Sequence, residues 1–65
     1  AAVPEELMGA KKIRDVVNHF YEQGHTKPDD IVARCLAVKD DVKVLARIRN
    51  VEERVRRAIT VMGLA

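Results

Sequence analysis

Aromatic side chains are almost missing from this sequence: tryptophan is absent, and Phe20 and Tyr21 are the only aromatics among 65 residues. Stacking the bases of a single strand needs aromatic platforms, so that mode of nucleic-acid binding gains no support. Any core must come from Val, Ile, Leu, Met and Ala. Cysteine is nearly missing too. The lone Cys35 excludes an internal disulfide framework, and a reduced thiol leads us to expect a cytoplasmic, intracellular setting. The three glycines, at 9, 24 and 63, are too scattered for a glycine-rich phosphate loop. No apolar run approaches the roughly 18–20 residues that span a bilayer. No signal peptide is visible, and no membrane partner is expected. Strand alternation and Asn-Gly hairpin signals are absent, which argues against a sheet.

What is present is helical punctuation. Four acidic doublets, Glu5-Glu6, Asp29-Asp30, Asp40-Asp41 and Glu52-Glu53, each precede an apolar run with three- and four-residue spacing. Carboxylates in the first turn of a helix meet its partial positive charge and contribute about 0.3–1 kcal/mol each. The doublets therefore read as helix starts and not as paired catalytic acids.

The spacing predicts one all-α domain over residues 1–65, a small bundle or orthogonal array of three or four short helices. The first helix is expected over about 5–23. It starts near Pro4, buries Leu7, Ala10, Ile13, Val16, Val17 and Phe20, and stops at Gly24. Gly9 is a fault within it worth about 1 kcal/mol. Thr26 and Asp29 suggest a capping box for the second helix, about 28–38, which buries Ile31, Val32, Cys35, Leu36 and Val38. Asp40 is expected to cap the third, about 41–62. Two readings of that segment stay open. Its four-three stripe supports one helix, whereas Asn50-Val51-Glu52-Glu53 reads as a capping box that would break it near 50. Gly63 ends it either way. Met8, Tyr21, Val42, Val61 and Leu64 fall outside the main stripes.

Few residues are left for chemistry. A chain this short buries only about 60% of its unfolded surface, leaving little room for a cleft of about 300 Å³ or more. No enzyme activity and no small-molecule substrate are expected. His19, His25 and Cys35 match no zinc spacing, so no metal is expected, and no cofactor motif occurs. Cys35 lies on an apolar face, where a thiol is quiet.

Two binding surfaces remain. The first is the aliphatic stripe Val44, Ile48, Val51, Val55 and Met62, suited to a partner protein or to self-association. The second is basic. Residues 1–33 carry four Lys/Arg against six Asp/Glu, net −2, while residues 34–65 carry eight against four, net +4. On a continuous helix, Lys43, Arg47, Asn50, Arg54 and Arg57 would share one face, with Arg49 and Arg56 close by. Such a line suits phosphates. The plainer reading is a solvated face held by Glu52–Arg56 and Glu53–Arg57 pairs. A helix-turn-helix over 29–49 would put Asp40 and Asp41 near the bases, so structured RNA is favoured over specific DNA sites.

The order of residue types in Phe20-Tyr21-Glu22-Gln23-Gly24 and in Asp30-Ile31-Val32-Ala33-Arg34-Cys35-Leu36-Ala37-Val38, continued by Leu45-Ala46-Arg47-Ile48, resembles a helical stretch near the C-terminus of the bacterial glycine–tRNA ligase β subunit. The likeness covers residues 20–48, and the segment beyond Asn50 departs from it. In that family the region belongs to a helical tRNA-binding part of a large enzyme, so the resemblance implies RNA as the ligand of Arg47 and its neighbours.

Overall fold

Leu7, Val16, Val17 and Phe20 are all buried, as their spacing requires, but the backbone that carries them is not one helix. The computed structural model describes residues 3–64, and among them the chain is all-α, with five helical segments and no strand. The segments are α1 (Glu5–Met8), α2 (Ile13–Glu22), α3 (Pro28–Val38), α4 (Lys43–Ala46) and α5 (Val51–Val61). The expected helix over 5–23 is therefore corrected to a single turn, a break and a ten-residue helix. Two local features make the break. Gly9 ends α1, and Lys12 is extended (φ −133°, ψ 154°), with its backbone N–H donated to the Asp15 carboxylate at 3.3 Å. Asp15 thus satisfies a donor that a helix start would leave unpaired.

The C-terminal end of α2 is fixed as glycine chemistry dictates. Gly24 takes φ +100°, its N–H bonds Tyr21 O at 3.0 Å, and the His25 N–H bonds Phe20 O at 3.0 Å. This is the Schellman closure, with the His25 ring set against Phe20 at 6.3 Å. The end of α5 repeats it: Gly63 takes φ +75°, with Gly63 N–H to Thr60 O and Leu64 N–H to Ile59 O.

Pro28 opens α3, with Asp29 and Asp30 in the first turn. The expected Thr26–Asp29 box is absent, because Lys27 is the N-cap and no side chain bonds there. Asp30 instead accepts from Arg34 Nε at 3.2 Å and contacts His25 Nδ1 at 3.2 Å, tying the α2–α3 connection to α3. Asp40 does not cap the next segment either. Val42 is the N-cap of α4 and is fully buried, so the core and not a carboxylate places that turn. Val42, set outside the stripe by its spacing, belongs to the core, whereas Leu36, expected inside, is 38% exposed.

Between α4 and α5 the capping box decides the fork. Asn50 Oδ1 accepts the Glu53 N–H at 3.3 Å, and Asn50 Nδ2 donates to Glu53 Oε2 at 3.2 Å. The chain breaks there. Asn50→Ala is expected to lower stability by about 1 kcal/mol, the usual worth of such a cap. Chemical denaturation measures it, and an unchanged midpoint would show that the cap contributes nothing.

The helices α2, α3 and α5 pack pairwise around one core, and α1 leans on α2. Val51, Val55 and Ile59, at four-residue steps on α5, close it together with Ile31, Val32 and Cys35 of α3.

Candidate functional site

Folding takes the middle of the expected partner-binding stripe into the core, and of its five residues only Met62 and Val44 line a groove. Val51 and Val55 are in the core, at 6% and 0% exposure, and Val44, Ile48 and Met62 are half-buried against it. A side chain with no accessible surface cannot touch a partner while this fold persists. The reason is arithmetic of size: with no large aromatic side chain beyond Phe20 in the core, so short a chain needs these aliphatics for itself.

The basic line is rearranged as well. The break at Asn50 separates Lys43 and Arg47 from Arg54 and Arg57, and Asn50 is occupied as a cap. Two open grooves result. The larger, about 550 Å³, runs between the start of α2 and the exposed side of α5. Its apolar side chains are Ile13, Ala58, Val61 and Met62, and its cations are Lys12, Arg14, Arg54 and Arg57. The smaller, about 240 Å³, is lined by Ala10, Lys11, Lys43, Val44 and Arg47. Lys12 lines the larger groove and Lys11, its neighbour in sequence, the smaller one. No carboxylate lines either groove among the described residues.

Arg49 is exposed but lines neither groove. Arg56 is turned to another use. Its guanidinium reaches Asp29 at 2.9 Å, joining α5 to α3, and Glu52 at 3.3 Å. These hydrogen bonds, Asp29 first, hold Arg56 more firmly in its charged form. The second expected pair, Glu53 with Arg57, is present but longer, at 3.8 Å.

Lys11, Lys12 and Arg14 are the groove residues that sequence reasoning missed. They come from the half of the chain with net negative charge, and a continuous first helix would have spread them around its circumference. Their signal was Lys12 followed three residues later by Asp15, whose carboxylate accepts the Lys12 backbone N–H and starts α2 from an extended Lys12.

Among the described residues no three His, Cys, Asp or Glu side chains gather as metal ligands, and no helix is long and apolar enough to cross a membrane. Cys35 is fully buried, and desolvation pushes its thiol up from an ordinary 9.0 to about 12. The sign follows directly. Below pH 9 the thiol is neutral in both states, whereas above it the unfolded chain ionises first, so the folded state loses stability as pH rises toward 12. The slope reaches about 1.4 kcal/mol per pH unit. Urea titrations of the wild type and of Cys35→Ala across this range are expected to converge as pH rises. Parallel curves would refute the thiol's part in alkaline unfolding.

Comparison with protein-family models, with curated proteins and with solved structures finds no match to this chain.

Proposed function

We propose that this chain is a non-catalytic helical interaction domain that binds a partner protein through the larger groove, between the start of α2 and α5. The observation that carries this reading is Val61, which is 80% exposed although aliphatic and lies beside Ile13, Ala58 and Met62 in that groove. Contiguous apolar surface rimmed by polar groups is the usual mark of a protein contact. The buried thiol supports a non-catalytic role, because a neutral, enclosed sulfur is no nucleophile. We place the domain inside the cell, where a lone thiol stays reduced.

The test is a selection of helical peptides from a display library against the folded domain, with Val61→Asp as the counter-target. Peptides that bind the wild type at least about tenfold more tightly, a difference of about 1.4 kcal/mol, are the expected result. A library that yields only binders indifferent to Val61→Asp would overturn the reading.

A second reading rests on a separate observation, the seven cations that line the two grooves, four in the larger and three in the smaller. They suit the phosphates of structured RNA, the ligand that the resemblance of residues 20–48 also implies. Here Lys43, Arg47, Arg54 and Arg57 act with Lys11, Lys12 and Arg14. On this reading, affinity for a duplex falls steeply with salt, log K losing about 0.9 per neutralised phosphate per log unit. Replacing both Arg47 and Arg54 with Gln weakens it without unfolding the domain. The protein reading is preferred because phosphates leave the apolar floor uncovered.

A further inference from the structure

We infer that the occupant of the larger groove is an acidic amphipathic helix, one that lays aliphatic side chains on Ile13, Ala58, Val61 and Met62 and carries carboxylates on its two flanks. The inference rests on the protein-binding reading above and names the chemistry of the partner. Its ground is charge complementarity on both walls. Lys12 and Arg14 stand on the α2 side, and Arg54 and Arg57 on the α5 side.

Elsewhere in the fold two arginines and one histidine meet acids within the chain. Arg34 meets Asp30, Arg56 meets Asp29 and Glu52, and His25 meets Asp30. In the groove only Arg57 does, at the long distance of 3.8 Å from Glu53. Among the described residues no carboxylate pairs with Lys12, Arg14 or Arg54. Four like charges around an apolar floor repel one another. A ligand that is apolar along one face and anionic on both sides relieves that repulsion and covers Val61 in one step.

The helical form follows from the same geometry. Among the described residues there is no strand whose edge an extended peptide could join. A trough between two helices accepts a third through side chains at i, i+3 or i+4, and i+7. The charge pattern would steer the encounter and set register, with the apolar contacts holding the complex.

The probe is a synthetic helical peptide with Leu at i, i+3 and i+7 and Glu on both flanks, beside a copy with every Glu replaced by Lys. Fluorescence anisotropy at low salt is expected to show the acidic peptide binding at least about tenfold more tightly than the lysine copy. Arg14→Glu with Arg54→Glu should remove that preference, and Val61→Asp should abolish binding of both. Backbone amide shifts on binding should cluster at residues 12–14 and 54–62. Equal affinity of the two peptides, or preference for the lysine copy, overturns the acidic partner, while Val61-dependent peptides from the display library leave the interaction-domain reading standing. If neither peptide binds and a short RNA duplex binds in a manner indifferent to Val61→Asp, the inference falls in favour of nucleic acid. Failure of the library as well would take the protein-binding reading with it.

Discussion

Val55→Asp is expected to leave the chain unfolded at neutral pH, whereas Val61→Asp, six residues along the same helix, is expected to fold. Val55 has no exposed surface and sits between Val51 and Ile59 on the core side of α5. An aspartate there must be buried as an ion or take up a proton. The effective penalty for burying an unpaired ion is several kcal/mol, and a protonated carboxyl without partners still costs about 1–3 kcal/mol. The lost aliphatic packing comes on top. A domain of this length has only about 3–10 kcal/mol in total, at 0.05–0.15 per residue. At Val61 the same side chain stays in water. Its only penalties are a weaker helix former and a negative charge near the C-terminal end of α5, together about 1 kcal/mol. Far-ultraviolet circular dichroism and thermal melting separate the two. A Val55→Asp chain that melts like the wild type would mean that the α5 stripe faces solvent, and the whole packing arrangement would fall with it.

That contrast shows what was legible in the sequence. The four-residue spacing of Val51, Val55 and Ile59 marks a buried face without any structure, and Gly24 and Gly63 mark helix ends because only glycine takes φ values of +100° and +75° cheaply. The acidic doublets at 5–6, 29–30 and 52–53 do lie in first turns. Asp40-Asp41 falls instead in the turn ahead of α4, where a buried valine holds the N-cap position. The breaks were harder. A buried residue every three or four positions survives a break of four residues with its pattern intact, so Leu7, Ala10 and Ile13 look continuous although α1 and α2 are separate. Periodicity records which residues are buried and not the path of the backbone between them.

The site suffered from the same blindness. Arg54 and Arg57 were visible as a basic pair, but their partners across the groove, Lys12 and Arg14, are some forty residues away and reach it only because the chain turns at 9–12. Arg56 carried the same sequence signal as its neighbours, and only its approach to Asp29 across the α3–α5 contact removes it from the grooves. The stripe residues gave the opposite error. A four-three aliphatic pattern reads alike whether it faces a partner or the chain's own core, and in a chain of 65 residues the core has first claim on it.

Leu45→Ala is expected to lower stability by about 2–5 kcal/mol, the usual range for a fully buried leucine, and to lower the melting temperature by about 10 °C or more. Four residues cannot hold a helical turn in water, because nucleation is unfavourable and too few bonds follow it. The α4 turn exists because Val42 and Leu45, both fully buried, pin its two ends to the core, and the bonds from Leu45 and Ala46 N–H to Val42 O close behind them. Leu36 supplies the control. It is also a helical leucine but is 38% exposed, so Leu36→Ala removes less buried surface and should cost only about 1–2 kcal/mol. Equal losses for the two variants would show that α4 is not anchored by its leucine. The consequence reaches the smaller groove, because Lys43 and Arg47 ride on that turn. Loosening α4 should therefore weaken any phosphate contact made there while leaving peptide binding at Val61 intact, under conditions where the variant remains folded.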